Sequence, residues 1–195
     1  MRRSDAQRGY SVLEVLVALV VLMSAMAGTY GLLLQSSRVN KRQQLTASAQ
    51  SDARTCLAMV VAKLRSAGWD PSVAGIQVVQ TDTNLGDNVS EIEIFADLDA
   101  DGDTDGLDEQ VMIRHSVDRI EWRRSASGSF EILAVGISND ADGNGTPEPM
   151  FNPDSTPNPT SVMVQITAEA PAPDPISGLP IRYTVSSEVV LRRTL

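Results

Sequence analysis

The chain of 195 residues has one cysteine, Cys56, and one histidine, His115. A lone cysteine excludes an internal disulfide and a cysteine-only zinc site. A lone histidine excludes any site that needs two, and no nucleophile–base arrangement surrounds it, so no catalytic residues and no enzyme activity are expected. Aromatic residues make up 4%, so the core must be built from Val, Ile, Leu, Met and Ala. Bases are in the minority, 16 against 25 acids, for a net charge of −9. That argues against a nucleic-acid partner, which calls for a basic face. Proline is nearly absent until late: nine of the ten lie after residue 146. The last quarter therefore reads as strand and loop. No repeat of 20–50 residues is present.

What is present is strongly polarised. Residues 15–34, VLVALVVLMSAMAGTYGLLL, are twenty positions without a charge. As a helix they span about 30 Å, the thickness of a bilayer core. The acids are equally local, with seven between residues 97 and 109 and three between 140 and 148. Without these clusters, acids and bases nearly balance. The acidity thus points to cation sites more than to a solubilising surface.

Before the apolar run come the basic octet MRRSDAQR, then Gly9, and then Tyr10-Ser-Val-Leu-Glu14. A carboxylate on a membrane helix costs about 2.5–3.5 kcal/mol at the bilayer centre and less near its ends, so it implies a function. If the chain were cut after Gly9, the free amine of Tyr10 could neutralise a Glu14 on a neighbouring, staggered subunit in a medium of low dielectric constant. Basic residues do not set the orientation: Arg2, Arg3 and Arg8 precede the run, and Arg38, Lys41 and Arg42 follow it.

The sequence Gly9-Tyr-Ser-Val-Leu-Glu14-Val-Leu-Val-Ala-Leu resembles the class III signal of type IV pilins and pseudopilins, which read G-F-T-L-I-E-L before an apolar helix. Tyr10 departs from the usual Phe but keeps a ring. The resemblance implies cleavage between Gly9 and Tyr10 by the prepilin peptidase and N-methylation of Tyr10. It also implies pairing of Glu14 with the adjacent subunit's amine during assembly, and a leader in the cytoplasm.

Beyond Leu34 the helical period continues in polar sequence through Leu45, Ala49, Ala53, Leu57, Val60, Leu64 and Ala67. Gly68 suits a C-cap and Pro71 forbids much more helix. One helix over residues 11–67 would measure about 85 Å, with Gly28 and Gly31 expected to loosen its middle. Cys56 lies beside the apolar stripe as a core residue. From residue 73 the period changes. Strands are predicted at 73–80, 91–95, 110–117, 119–124, 130–137, 162–168 and 181–191, with Glu91 and Glu93 on a solvated face. The predicted fold is α+β, a long N-terminal helix on an antiparallel sheet. The predicted divisions are a leader at 1–9, a membrane or filament-core half-helix at 10–34, a periplasmic half-helix at 35–69 and a β-sheet head at 70–195.

Residues 97–108, DLDADGDTDGLD, match the calcium-loop template D-x-[DN]-x-[DN]-G-x5-E. Asp97, Asp99 and Asp101 take positions 1, 3 and 5, and Gly102 makes the turn at 6. Asp103 stands at 7 and Asp105 at 9. Asp108 falls at 12, where Glu is usual, with Glu109 beside it. Ca2+ takes six to eight hard oxygen ligands, which such a loop can offer. The flanking strands make this a calcium loop set in a hairpin. A second, weaker candidate has Asp140, Asp142 and Asn144 at positions 1, 3 and 5, Gly145 at 6 and Glu148 at 9. Its position 12 is Phe151, which cannot ligate.

The blocks Leu64-Arg-Ser-Ala-Gly-Trp-Asp-Pro71, Ala96-Asp-Leu-Asp-Ala-Asp-Gly102, Asp140-Ala-Asp-Gly-Asn144 and Ser187-Glu-Val-Val-Leu-Arg192, in that order, look like PilW-type minor pilins. That resemblance implies a low-copy subunit of a priming or tip complex. Its partners would be other minor pilins, the major pilin and the inner membrane, with the head in the periplasm before assembly and at the pilus base or tip afterwards. J-type pseudopilins of type II secretion are similar in plan and form the alternative reading. A membrane-anchored enzyme or a calcium-dependent adhesin is the reading from outside this class.

Overall fold

The computed structural model describes residues 11–67, 79–82, 89–99, 101–104, 106–125, 127–155 and 159–191. It begins with one helix, α1 (Val12–Ser66), of 55 residues, or about 82 Å. The helix is continuous through Gly28 and Gly31. It closes where the Ala67 N–H turns back to the Leu64 carbonyl at 3.2 Å. Gly68 and Pro71 lie outside the described residues.

The two halves of α1 differ in what they bury. Every residue from 11 to 44 is exposed, the apolar run included. Further on, Ala49, Ala53, Cys56, Val60, Val61, Leu64 and Ala67 are buried, and Leu45 and Leu57 are partly covered. This is the stripe expected from the helical period. Burial pushes the Cys56 thiol up to about 12, as desolvation disfavours a thiolate.

Among the described residues eight strands follow: β1 (Val79–Asp82), β2 (Val89–Phe95), β3 (Gln110–Ser116), β4 (Arg119–Arg123), β5 (Glu131–Val135), β6 (Phe151–Pro153), β7 (Ser161–Glu169) and β8 (Arg182–Val190). The predicted strand 73–80 is described only from Val79, and β6 was not expected. One antiparallel sheet was predicted; two form, both antiparallel. The first is a five-stranded meander, β1 to β5 in order, and the second is β6-β7-β8. Helix α1 packs mainly on β7 and β8.

A single apolar cluster joins these layers. It includes Val60 and Leu64 of the helix, Ile92, Ile94, Val111 and Ile113 of the first sheet, and Val162, Val164 and Ile166 of the second. Alternation does the sorting, since successive strand residues face opposite sides. Ile92 and Ile94 are buried while Glu91 and Glu93 lie on the outer face. There Glu93 accepts from Gln110 at 2.7 Å, and the Arg114 guanidinium lies 3.7 Å from the Phe130 ring centroid.

Residues 136–139 seam the two sheets together. Ile137 bridges Ala168, and Asn139 exchanges bonds with Thr167 at 3.2 and 3.0 Å. His115 is buried and bonds the Ile137 carbonyl at 2.8 Å. Burial holds the imidazole's pKa below its usual value, so it serves as a neutral structural group.

Candidate functional site

Two features of the sequence are candidates for function, the N-terminal signal and the acidic loops. Gly9 and Tyr10, the expected cleavage pair, lie outside the described residues. Ser11 caps α1, its hydroxyl oxygen accepting from the Leu13 N–H at 3.3 Å. Glu14 falls in the first helical turn, where a carboxylate meets the positive end of the helix dipole. The helix it opens is long and apolar enough to cross a membrane.

The first acidic loop joins β2 to β3 and prolongs their ladder, with the Ala96 N–H donating to the Glu109 carbonyl at 2.8 Å. Asp97 and Glu109 are each 2% exposed, and Asp99 is at the surface. One carboxylate oxygen from each lies within 4.8 Å of the others. Backbone N–H groups hold this trio. Glu109 Oε1 accepts from Leu98 at 2.7 Å and Asp99 at 3.2 Å, and Oε2 accepts from Gly106 at 2.8 Å. Asp97 accepts from Gly102 at 3.0 Å, Asp99 from Asp101 at 3.3 Å, and Asp101 from Asp103 at 3.1 Å.

The second loop repeats the pattern. Asp140 accepts from Gly145 at 3.1 Å, Asp142 from Asn144 at 3.0 Å, and Asn144 Oδ1 from Thr146 at 2.6 Å. Glu148 accepts from Ala141 at 2.7 Å and Asp142 at 3.4 Å. Asp140, Asp142 and Glu148 also bring oxygens within 4.8 Å of one another. Gly102 and Gly145 hold the same template position at φ +93° and +85°, a region that side-chain-bearing residues seldom enter.

Not every predicted ligand joins these clusters. Asp101 and Asp103 lie on the first loop outside its trio, Asn144 spends its side chain on Asp142 and Thr146, and Asp105 lies outside the described residues. Asp108, expected at the closing position, departs most. Its φ is +70°, and its carboxylate takes Arg124 at 2.8 and 2.6 Å and Lys63 at 3.3 Å. The Arg124 hydrogen bonds, then Lys63, hold its pKa at about 2. Glu109 takes the inward place instead. Strand phase explains the exchange: Glu109, Val111, Ile113 and His115 are buried in alternation, so residue 108 must face away.

The two trios differ electrostatically. Desolvation and then the charges of Asp101 and Glu109 push the Asp99 carboxyl up. At Asp140 desolvation also raises, but the Gly145 and Gly143 N–H groups and Arg182 outweigh it, and the net shift is down. Arg182, from β8, stands 3.3 Å from Asp140 and 3.0 Å from Glu169.

Comparison with known proteins bears on the N-terminus. The family model described as the prokaryotic N-terminal methylation motif matches residues 4–30. The chain carries a type IV prepilin-like signal. This supports a pilin or pseudopilin, a structural protein, processed by the prepilin peptidase and anchored in a membrane by the first half of α1. No curated protein and no solved structure matches the chain.

Proposed function

We propose that the chain is a minor pilin that primes or caps assembly of a type IV pilus as part of a minor-pilin complex, with calcium stiffening its head. The observation that carries the reading is the methylation motif at 4–30, in register with Glu14 at the start of a helix whose first 33 described residues bury nothing within the chain. Cleavage between Gly9 and Tyr10 would free an amine, which is then methylated. Glu14 of one subunit would pair with that amine on its neighbour as the apolar half-helix moves from the inner membrane into the filament core. The head, built on the second half of α1, would remain at the base or tip and meet the other minor pilins and the major pilin.

The donor set of the first loop fits calcium. Asp97, Asp99 and Glu109 bring three hard oxygens, one from each, within 4.8 Å of one another, and backbone carbonyls and water would complete the six to eight that calcium takes. A bound ion would neutralise carboxylates that otherwise repel at close range. The second trio is a poorer candidate, because Arg182 already supplies a cation to Asp140.

Mass spectrometry of N-terminal peptides from sheared filaments and from membranes tests the processing and the class together. A peptide beginning at methylated Tyr10, in trace amounts within filaments, is expected. The processed peptide in membranes alone, with loss of enzyme secretion rather than of pili on deletion, would move the chain to the J-type pseudopilins. An intact Met1 leader in both fractions would end the pilin reading.

A further inference from the structure

The loop between β7 and β8, residues 171–180, turns back along α1 to where the helix changes character. Its Ile176 shares an open groove of about 410 Å³ with Gly31, Leu34, Gln35, Arg38 and Val39. The uncharged run 15–34 ends at this level. Ile176 is 55% exposed and Leu179, on the same loop, 66%.

The loop is built to hold these side chains out. Asp174, 5% exposed, accepts from the Ile176 N–H at 3.0 Å and the Ser177 hydroxyl at 2.8 Å, and pairs with Arg42 of α1 at 3.4 Å. The Asp174 N–H donates to the Leu179 carbonyl, Gly178 to Asp174, and Leu179 to the Ser177 hydroxyl. Pro171, Pro173, Pro175 and Pro180 have no N–H to satisfy. The tip therefore presents apolar side chains while much of its backbone polarity is already bonded, which lowers the cost of leaving water.

Resting on the reading that residues 12–34 span a membrane, we propose that this loop is a second membrane contact. Ile176 and Leu179 enter the boundary between lipid headgroups and acyl chains beside the emerging helix. Continuity decides the occupant: the groove opens at the end of the membrane run, and Arg38 on its wall, with Lys41 close by in sequence, suits headgroup phosphates. Two contact points, tied through Arg42 and Asp174, fix the tilt of the head before assembly.

The test uses the 195-residue chain in vesicles of zwitterionic lipid, with and without anionic lipid. Single cysteines at Ile176→Cys, Leu179→Cys, Leu22→Cys and Leu107→Cys carry an environment-sensitive fluorophore. The unsubstituted chain, whose Cys56 is buried, is the blank. Leu107 adjoins Asp108, which holds Lys63, about 43 Å along the helix from Leu34. A lipid-borne quencher should dim the labels at 176, 179 and 22 at least threefold more than at 107, and aqueous iodide should dim 107 alone. Lipid quenching at 22 with iodide quenching at 176 and 179 would overturn the inference and leave the anchor standing. If those two labels became shielded only in filaments, the groove would belong to a neighbouring subunit, which also overturns it. Iodide quenching at 22 would bring down the anchor and the inference together.

Discussion

The loop between β2 and β3 and the loop after Asn139 share a pattern of hydrogen bonds, yet different groups face their acids. In each, the first Asp accepts from the Gly at position 6, and a Glu accepts the N–H groups of positions 2 and 3. That Glu lies twelve residues after the first Asp in one loop and eight after it in the other. The bonds therefore define the trio better than sequence spacing does. The surroundings separate the two: Asp99 is crowded by acids, whereas Asp140 has Arg182 beside it. The acids around Asp99 favour an external cation, whereas the arginine beside Asp140 competes with one.

The widest gap between the loops should appear in calcium-dependent melting. At a hundredfold excess over its Kd, calcium at the first loop should add about 2.7 kcal/mol, or about 5–10 °C in Tm for a chain of this size. Glu109→Gln should abolish that gain while Glu148→Gln leaves most of it. Equal losses would erase the distinction between the loops. Next in size is Asp108→Asn. The sequence template makes it a ligand and the structure does not, so calcium affinity should change less than about threefold. Titration calorimetry of the variant decides between them. Because the folded-state pKa of Asp108 is depressed to about 2, its contribution to stability is full above about 4 and is lost as pH falls through 2. Acid unfolding of the variant should lack that component.

Arg182→Met should free Asp140 and its neighbours to take an ion. A second, weaker calcium equivalent should appear in the calorimetric titration, and the calcium-free protein should lose about 1 kcal/mol. No second equivalent would mean that Arg182 is not what closes that loop. The raised pKa of Asp99 means that protons compete there first. On acidification, affinity at the first loop should fall at a higher pH than affinity at the loop uncovered by Arg182→Met. The turns test the likeness of the two loops. Gly102→Ala and Gly145→Ala meet no neighbour within 4 Å of the added carbon, so each should cost only backbone strain, about 1 kcal/mol. Unequal costs in urea unfolding would show that the two paths are less alike than their bonds suggest.

Much of this was legible in the sequence, and the exceptions have causes. Periodicity sufficed for α1 and for most of the strands: Ile92 and Ile94 alternate with Glu91 and Glu93, and Val111, Ile113 and His115 are buried in alternation with Met112 and Arg114. It could not reveal β6, whose three residues include Pro153 and are too few to show a period. Nor could it divide the strands into two sheets, since that depends on the seam at Ile137–Asn139. The acidic template assigned Asp108 to the closing position, whereas Asp108 turns to Arg124 and Glu109 groups with Asp97 and Asp99. The phase of β3, extended back by one residue, contained the answer. Arg182 had no local signal at all, being brought to Asp140 by the pairing of β7 with β8.

The connectivity of the head also orders its folding. Sheet β1–β5 is a meander in which each strand pairs with the next in the chain, and β7 pairs with β8 across a short connection. Such contacts close small loops at little entropic cost. The contact of α1 with β7 and β8 closes a loop of more than a hundred residues, the costliest closure in the molecule. Docking of the sheets onto the helix is therefore expected to follow hairpin formation. Until it happens, Val60 and Leu64 on one side and Val164 and Ile166 on the other remain open to solvent. The interval before docking is when this chain is expected to be most exposed to aggregation and to proteases.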